Sequence, residues 1–174
     1  MSGRRLEAEL DEAALERWAE RVGRSASGRG VVVALRGPLG AGKTTFVRAA
    51  LRGAGAKRAA RSPTYTLHRP HALRDGGRVH HLDLYRIADP SELDELGWEE
   101  LMDSGETVFV EWAGRAGDRL PADRWEVELN MSAGGARRRL RVRAVGGAPD
   151  LPGMPEVWEP TGTPAAAAGE AGAC

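Results

Sequence analysis

The sequence predicts an α/β protein with a mixed, mainly parallel sheet that carries antiparallel hairpin additions. An apolar, β-branched run at residues 31–35 precedes a glycine-rich loop and an amphipathic segment, which is typical of a buried parallel strand leading into a helix. Turn signals at residues 75–77 and 133–135 each separate two segments with strand-like character. A plain βαβ repeat contains no such hairpins, so we expect a mixed sheet.

The composition predicts one domain followed by a tail. The chain has 174 residues, of which 41% are hydrophobic, and this is enough to bury a sizeable core. We expect residues 1–144 to form the domain. Residues 145–174 are dominated by Gly, Pro and Ala without periodicity, so we expect a disordered tail. Its apolar pair, Val157 and Trp158, is either incidental or a docking peptide.

Charge and hydropathy narrow the class of protein. No apolar run approaches 18 residues, residues 1–10 lack the apolar segment of a signal peptide, and the one cysteine, Cys174, can form no internal disulfide. We therefore expect a cytoplasmic protein without membrane contact. The formal net charge is zero, whereas proteins that hold nucleic acid by themselves are usually basic. A nucleic-acid role would then act through a partner or a local patch.

Periodicity and capping signals place the remaining elements. Asp11 is a candidate N-cap for a helix over residues 12–22, with Gly23 as its stop. Asp89, with Pro and Glu at the following positions, begins a second capped helix. The other predicted elements are a strand at 4–10, a helix at 43–52, a hairpin at 64–85 with its second strand at 79–85, a helical turn at 98–102, a strand at 107–110, a connection at 113–120 and a hairpin of strands 125–131 and 139–144.

The glycine-rich loop carries the strongest functional signal. Residues 37–44 match the phosphate-binding pattern G-x-x-x-x-G-K-[ST], in which backbone N–H groups point at phosphate oxygens. In this pattern Lys43 reaches the β- and γ-phosphates and the Thr44 hydroxyl holds Mg²⁺. A planar guanidinium cannot replace that compact ammonium, and the chain uses arginine for nearly all its other cations. The candidate nucleotide-binding residues of the loop are Gly40, Ala41, Gly42, Lys43, Thr44 and Thr45.

Two carboxylates are candidates to complete the site. Mg²⁺ prefers oxygen ligands, and these lie at the carboxyl ends of strands in open α/β sheets. Glu111 ends a four-residue apolar run, so it needs a cation to face; it would bind Mg²⁺, directly or through water, or orient the attacking water. Asp83 lies near the end of another strand, where a solvated acid paired with Arg86 is an equally good interpretation.

Four blocks in order, at residues 37–45, 62–67, 81–86 and 111–113, give the chain a family resemblance. Over residues 6–144 it resembles the bacterial ATPases of tRNA threonylcarbamoyladenosine biosynthesis known as TsaE. The resemblance implies a three-layer α/β/α P-loop NTPase fold and a weak ATPase that uses ATP and Mg²⁺. It also implies a complex with two partner proteins, one of them the threonylcarbamoyl transferase, which the ATPase resets between turnovers; contact with tRNA is indirect.

The same resemblance suggests roles for individual residues. Lys43, Asp83 and Glu111 would be catalytic. Asp83, similar to the acid of the family's second nucleotide motif, would also contact the nucleotide, and Glu111 is similar to the family's metal-site acid. Asp11 matches an acidic position near the nucleotide, although N-capping explains it equally well. Thr64 or Thr66, beside Ser62, would sense the metal in a switch-like segment, or simply favour a strand.

Other interpretations stay open. A small-molecule kinase is the first, but the sequence shows no arginine-rich lid between two strands after the loop. A nucleotide-dependent scaffold with little turnover is the second.

Trp112 could pack beside the nucleotide or contact a partner, although a core or rim aromatic is the simpler interpretation. His80 and His81 favour strand positions over metal ligation. Arg139, Arg141 and Arg143 alternate along one strand face, which is either a solvated surface or a basic strip for tRNA or an acidic partner.

Overall fold

The computed structural model describes residues 5–58, 63 and 66–153. Seven strands, three α-helices and two 3₁₀ helices form within these ranges. In chain order they are β1 Arg5–Leu10, α1 Glu12–Ala26, β2 Val32–Arg36, α2 Lys43–Gly53, β3 His68–Ala72, β4 Arg78–Asp83, a first 3₁₀ helix Pro90–Leu96, α3 Trp98–Met102, β5 Thr107–Glu111, a second 3₁₀ helix Ala113–Arg119, β6 Arg124–Met131 and β7 Arg138–Val145. No helix of the described ranges is long and apolar enough to cross a membrane.

The seven strands form one mixed sheet in the order β1-β7-β6-β2-β5-β4-β3. The four central strands, β6, β2, β5 and β4, are parallel to one another. The outer pairings, β1 with β7, β7 with β6, and β3 with β4, are antiparallel. This confirms the predicted mixed sheet, and it gathers the carboxyl ends of four parallel strands at one edge, where ligands bind in open α/β sheets.

Two helical layers cover the sheet, which confirms the three-layer arrangement. On one face α1 and α2 bury an apolar cluster that includes Trp18 and Phe46, whose ring centroids lie 5.6 Å apart. On the other face α3 and the two 3₁₀ helices bury a second cluster around Trp98. Because β2 has helices on both sides, its residues are buried almost throughout, and this explains its unbroken apolar sequence.

The first helix is longer than predicted, because Gly23 does not end it. Helix α1 continues to Ala26, and Gly23 lies where α1 crosses α2. A Cβ atom added at Gly23 would lie 1.8 Å from the carbonyl oxygen of Ala50, so the two backbones touch at this point. The glycine therefore permits a close helix–helix approach, a use that a local sequence signal does not distinguish from a helix stop.

The hairpin predicted at residues 64–85 forms with narrower limits. Its strands are β3 and β4, joined by a turn at the predicted glycines. Leu67 was predicted within the first strand, but it has a φ of 60°, so the strand begins one residue later. The second strand ends at Asp83 rather than at Tyr85. Ser62, Thr64 and Tyr65 lie outside the described residues.

Two further segments differ in helix type from the prediction. The Asp89 capping box forms as predicted, but residues 90–96 make a 3₁₀ helix that ends at Gly97 in the left-handed conformation. Residues 113–119, predicted as a connection, form the second 3₁₀ segment, which is kinked at Gly117. Its last carbonyl, at Arg119, accepts a hydrogen bond of 3.0 Å from Trp98 Nε1, which fixes this segment against α3.

The tail predicted from residue 145 is ordered in its first part. Residue 145 ends β7, and residues 146–153 then follow the domain surface. The carbonyls of Pro149 and Pro152 accept hydrogen bonds from Trp125 Nε1 (2.7 Å) and Trp18 Nε1 (3.3 Å). Disorder from residue 145 onward was therefore wrong for these residues, because two buried indoles need acceptors. Residues 154–174, including Val157 and Trp158, lie outside the described residues.

Candidate functional site

The glycine-rich loop joins the carboxyl end of β2 to the start of α2. Its first glycine, Gly37, has a φ of 137°, and a Cβ atom there would lie 2.0 Å from the carbonyl oxygen of Leu129 on β6. A side chain would therefore collide with the neighbouring strand, and the loop turns tightly only because this position is glycine. The turn delivers Lys43 and Thr44 as the first two residues of α2.

Lys43 is buried, and its ammonium is fixed across the loop. The Nζ atom donates hydrogen bonds of 2.8 Å to the carbonyls of Gly37 and Pro38. It also lies 3.7 Å from the ring centroid of Trp112, a cation–π distance. Burial lowers the pKa of Lys43, while the negative charges of Glu111 and Asp83 oppose that shift. The arrangement holds a compact positive charge between the loop carbonyls and the Trp112 ring.

Glu111 links the loop to the neighbouring strand. It ends β5, which pairs in parallel with β2, and it is 1% exposed. The Thr44 hydroxyl donates a 2.8 Å hydrogen bond to Glu111 Oε2. His81 Nε2 lies 2.8 Å from Glu111 Oε1, so both carboxylate oxygens have partners. The carboxylate predicted from the end of an apolar run is thus in direct contact with the loop threonine.

Asp83 is the cross-strand neighbour of Glu111 on the parallel strand β4. It is 5% exposed, and its Oδ1 accepts a 3.0 Å hydrogen bond from the Tyr85 amide. Both acids lie close enough to Lys43 to stabilise its positive charge. The structure therefore brings Lys43, Thr44, Asp83 and Glu111, which are far apart in sequence, to one edge of the sheet.

Two aromatic residues complete the far wall of the site. Trp112 and Tyr85 have ring centroids 4.9 Å apart. Trp112 has a φ of 57°, which is uncommon for a residue other than glycine. That backbone conformation turns its ring toward Lys43, and strained residues of this kind cluster at functional sites. The aromatic wall screens the ammonium from solvent on this side.

These groups surround a cleft of about 300 Å³. Its lining residues are Leu39, Gly40, Gly42, Lys43, Thr44, Thr45, Asp83, Tyr85, Glu111 and Trp112. A hollow of about 580 Å³ is lined by charged residues of β6, β7 and neighbouring segments, and several of these are ion-paired, as Arg143 is with Glu126 at 2.5 Å. We assign the candidate site to the smaller cleft because it combines a phosphate loop, a buried ammonium and two buried acids.

The donor set of the cleft fits a hard divalent cation. The Thr44 hydroxyl and the carboxylates of Glu111 and Asp83 offer oxygen atoms, which Mg²⁺ prefers, and phosphates supply the rest in nucleotide sites. Among the described residues no group of three or more His, Cys, Asp or Glu side chains could hold a metal ion unaided.

Two predicted nucleotide-binding residues do not line the cleft. Ala41, within the loop, is fully buried. Asp11 caps α1, with its Oδ1 accepting a 2.7 Å hydrogen bond from the Ala14 amide. Thr66 is exposed in a turn, and its amide donates to the Pro63 carbonyl at 2.9 Å. The roles suggested for these residues remain predictions.

The arginine strip of β7 is partly ion-paired. Arg141 pairs with Glu7 of β1 at 3.1 Å, and Arg143 pairs with Glu126 of β6 at 2.5 Å. Two of the three arginines in the strip are therefore ion-paired with acids of the flanking strands. Mixed charges of this kind suit a solvated sheet face, and they weaken the case for a continuous RNA-binding strip.

Sequence reasoning missed two residues of the site. The sequence predicts Tyr85 only as part of a strand and His81 only as a strand residue. Because side chains alternate along a strand, His81 and Asp83 share one face of β4. That alternation, combined with a parallel pairing of β4 and β5, was the signal that could have brought His81 to Glu111.

Comparisons with known proteins agree with this site. A family model described as "Threonylcarbamoyl adenosine biosynthesis protein TsaE" matches residues 10–140. Among solved structures, the crystal structure of YdiB from Bacillus subtilis superposes with a TM-score of 0.68 at 26% identity, covering 84% of this chain and 89% of that chain. This likeness supports the P-loop type of α/β fold.

Curated relatives carry the same family name. The chain is 39% identical over 93 residues to the tRNA threonylcarbamoyladenosine biosynthesis protein TsaE of Haemophilus influenzae, covering 53% of this chain and 58% of the relative. It is 37% identical over 118 residues to that of Bacillus subtilis, covering 67% of this chain and 72% of the relative. It is 34% identical over 122 residues to that of Treponema pallidum, covering 70% of this chain and 87% of the relative. Because the family model spans well over half of the residues, this chain belongs to the TsaE family of threonylcarbamoyladenosine biosynthesis proteins.

Proposed function

We propose that this chain binds ATP with Mg²⁺ in the cleft and hydrolyses it slowly, and that this cycle drives or resets a partner complex that installs threonylcarbamoyladenosine on tRNA. The observation that carries the proposal is the contact between Thr44, at the end of a phosphate loop, and the buried carboxylate of Glu111. Family membership supplies the pathway, because the matching relatives are named for threonylcarbamoyladenosine biosynthesis.

Each residue of the cleft has a chemical role in this proposal. The loop amides and Lys43 hold the β- and γ-phosphates and offset their charge. Thr44 and Glu111 hold Mg²⁺, which when bound supplies positive charge against the phosphate oxygens. Water attacks the γ-phosphorus, the bond to the bridging oxygen breaks, and ADP and inorganic phosphate leave. Asp83, beside Glu111, would orient the attacking water.

The chemistry of threonylcarbamoyl transfer is assigned to partners rather than to this cleft. The cleft is lined by the phosphate loop, Lys43, two acids and two aromatic residues, a set that suits a nucleotide. We infer two partner proteins of the pathway, one of them the transferase, with tRNA contacted only indirectly because the chain carries no net charge. Such a complex would operate in the cytoplasm, where tRNA is modified.

Lys43→Ala tests the proposal, with Lys57→Ala as a matched control because Lys57 is the chain's other lysine and is exposed outside the cleft. We expect Lys43→Ala to lower phosphate release from ATP by about 100-fold or more, since it removes a charge that stabilises the transition state. Lys57→Ala should leave the rate unchanged. The measurement is phosphate release by the purified full-length chain with ATP and Mg²⁺.

The same two variants test the pathway in cells that lack the chain. Mass spectrometry of tRNA nucleosides should show threonylcarbamoyladenosine restored by Lys57→Ala and not by Lys43→Ala. Full restoration by Lys43→Ala would mean that the chain acts as a scaffold rather than as an ATPase. Transfer of phosphate from ATP to a metabolite, at a rate comparable to hydrolysis, would instead identify a small-molecule kinase.

A further inference from the structure

His81 contacts the candidate site through Glu111. This histidine lies on β4, is fully buried, and has its Nε2 atom 2.8 Å from Glu111 Oε1. The other oxygen of the same carboxylate accepts the hydrogen bond from Thr44. Glu111 is therefore held at both oxygens, by the loop threonine on one side and by His81 on the other.

The chemistry of the pair fixes the direction of this hydrogen bond. An ionised carboxylate only accepts hydrogen bonds, so the Nε2 atom of His81 carries the hydrogen and donates. The Nδ1 atom of His81 is buried without a partner among the described residues. A bare ring nitrogen tolerates an apolar environment better than an unpaired N–H group does, so the surroundings favour the same tautomer.

The contact depends on the register of two parallel strands. Asp83 pairs with Glu111 across β4 and β5, and His81 lies two residues earlier on the same face of β4. His81 thus reaches Glu111 diagonally from within the sheet, while Asp83 lies beside it at the edge. A rigid strand interior supports the carboxylate better than a loop would, because its position is set by the sheet.

We propose that His81 is a positioning residue that fixes Glu111 Oε1 and so presents Oε2 to Thr44 and to the metal-bound nucleotide. This inference rests on the proposed function, and it assigns the histidine no contact with substrate. Residues that hydrogen-bond to a metal-site ligand set its orientation, and their loss commonly weakens metal binding without removing a ligand. His81 has this relation to Glu111.

His80 provides a matched control on the opposite face of the same strand. Its Nε2 atom bonds to Glu106, and its Nδ1 atom lies 2.9 Å from His68 Nε2. Like His81 it is a buried histidine bonded to a glutamate, but neither Glu106 nor His68 lines the cleft. Substitution of His80 therefore reports the cost of losing a buried histidine from β4 without touching Glu111.

The experiment compares His81→Asn, His81→Gln and His80→Asn in the full-length chain. Glutamine places an N–H donor near the position of His81 Nε2, whereas asparagine is too short to reach Glu111. The readout is ATP affinity, measured by calorimetry with Mg²⁺ varied and again in EDTA, together with the Mg²⁺ dependence of phosphate release.

We expect His81→Asn to raise the Mg²⁺ concentration required for half-maximal phosphate release by about 10- to 100-fold. This is the range typical of losing a residue that supports a metal ligand. Its ATP affinity in EDTA should stay at the wild-type value. His81→Gln should restore the Mg²⁺ requirement, and His80→Asn should not change it.

Two results would overturn the inference. One is an unchanged Mg²⁺ requirement in His81→Asn. The other is an equal loss of ATP affinity in His81→Asn and His81→Gln, both with Mg²⁺ and in EDTA. The second result would show that His81 only supports folding. Failure of the wild-type chain to bind ATP would instead overturn the proposed function, so the two failures are distinguishable.

Discussion

At the scale of single residues, the carboxylate of Glu111 joins three parts of the chain. It ends β5, accepts from Thr44 at the start of α2, and is supported by His81 on β4. The position of Glu111 was predictable, because an acid at the end of a buried strand needs a partner. Its contacts were not, since they depend on which strands are neighbours in the sheet.

We expect His71, whose ring lies beside that of His81, to make the stability of the protein depend on pH. Burial, aided by the nearby His81, Arg69 and His80, lowers the pKa of His71 to about 4. The unfolded chain takes up this proton near pH 6.5, whereas the folded chain resists it, so stability falls as pH drops from about 6.5 to 4. The loss attributable to His71 is on the order of 3 kcal/mol at most.

Urea unfolding between pH 4 and 7 checks this prediction. His71→Gln removes the titrating ring, so its free energy of unfolding should depend less steeply on pH than that of the wild type. Parallel pH profiles for the two proteins would show that the burial of His71 does not control acid stability.

At the scale of elements, the contact between α1 and α2 positions the phosphate loop. Gly23 touches the backbone of Ala50, and Gly53 touches the backbone of Glu20, so the two helices meet at two close points. Arg52 adds surface ion pairs to Glu16 (2.6 Å) and Glu20 (3.1 Å), which contribute little by themselves. Since α2 begins with Lys43, this packing also fixes the direction in which the loop lysine enters the cleft.

Gly23→Ala should therefore destabilise the protein. The added Cβ would lie 1.8 Å from a backbone oxygen, which forces the helices apart at a cost of about 1–3 kcal/mol or more. Gly114→Ala is the control, because its Cβ would lie 3.8 Å from Arg36 Nη1, an ordinary contact. Thermal and urea unfolding measure the difference, and equal stability of the two variants would contradict the close helix contact.

At the scale of the whole molecule, the sheet places the antiparallel additions at its outer edges and the chemistry at its centre. The parallel strands β6, β2, β5 and β4 end beside one another, and three of them contribute to the site. The strands β7 and β1 extend the sheet beyond the cover of α3 and the 3₁₀ helices, so their outer faces carry charged residues. The residues after β7 then pack against the core, where their carbonyls accept hydrogen bonds from Trp125 and Trp18.

Truncation of the chain distinguishes this returning segment from the rest of the tail. Ending the chain at residue 147 removes the acceptors of both indoles and the partly buried side chains of Ala148 and Leu151. We expect a loss of about 1–3 kcal/mol in unfolding free energy, the cost of leaving buried donors unpaired. ATP binding below the unfolding transition should persist, because the cleft lies at the other strands.

Ending the chain at residue 153 is the matched control and should leave the unfolding free energy unchanged. Urea denaturation of the two truncated proteins and of the full chain measures the difference. A chain ending at residue 147 that is as stable as the one ending at residue 153 would show that the contacts of Pro149 and Pro152 contribute nothing.

The sequence by itself determined the phosphate loop, the buried strands around it and the two acids, because these depend on local pattern: glycine spacing, apolar runs and the acid that ends each run. It also determined the hairpins and the Asp89 cap, since turn and capping residues act within a few positions. Only the tertiary structure decided that Gly23 separates two helices, that His81 supports Glu111, and that residues 149 and 152 satisfy two tryptophans. Each of these contacts joins residues distant in sequence, so it depends on the order and register of the strands, which no local pattern specifies.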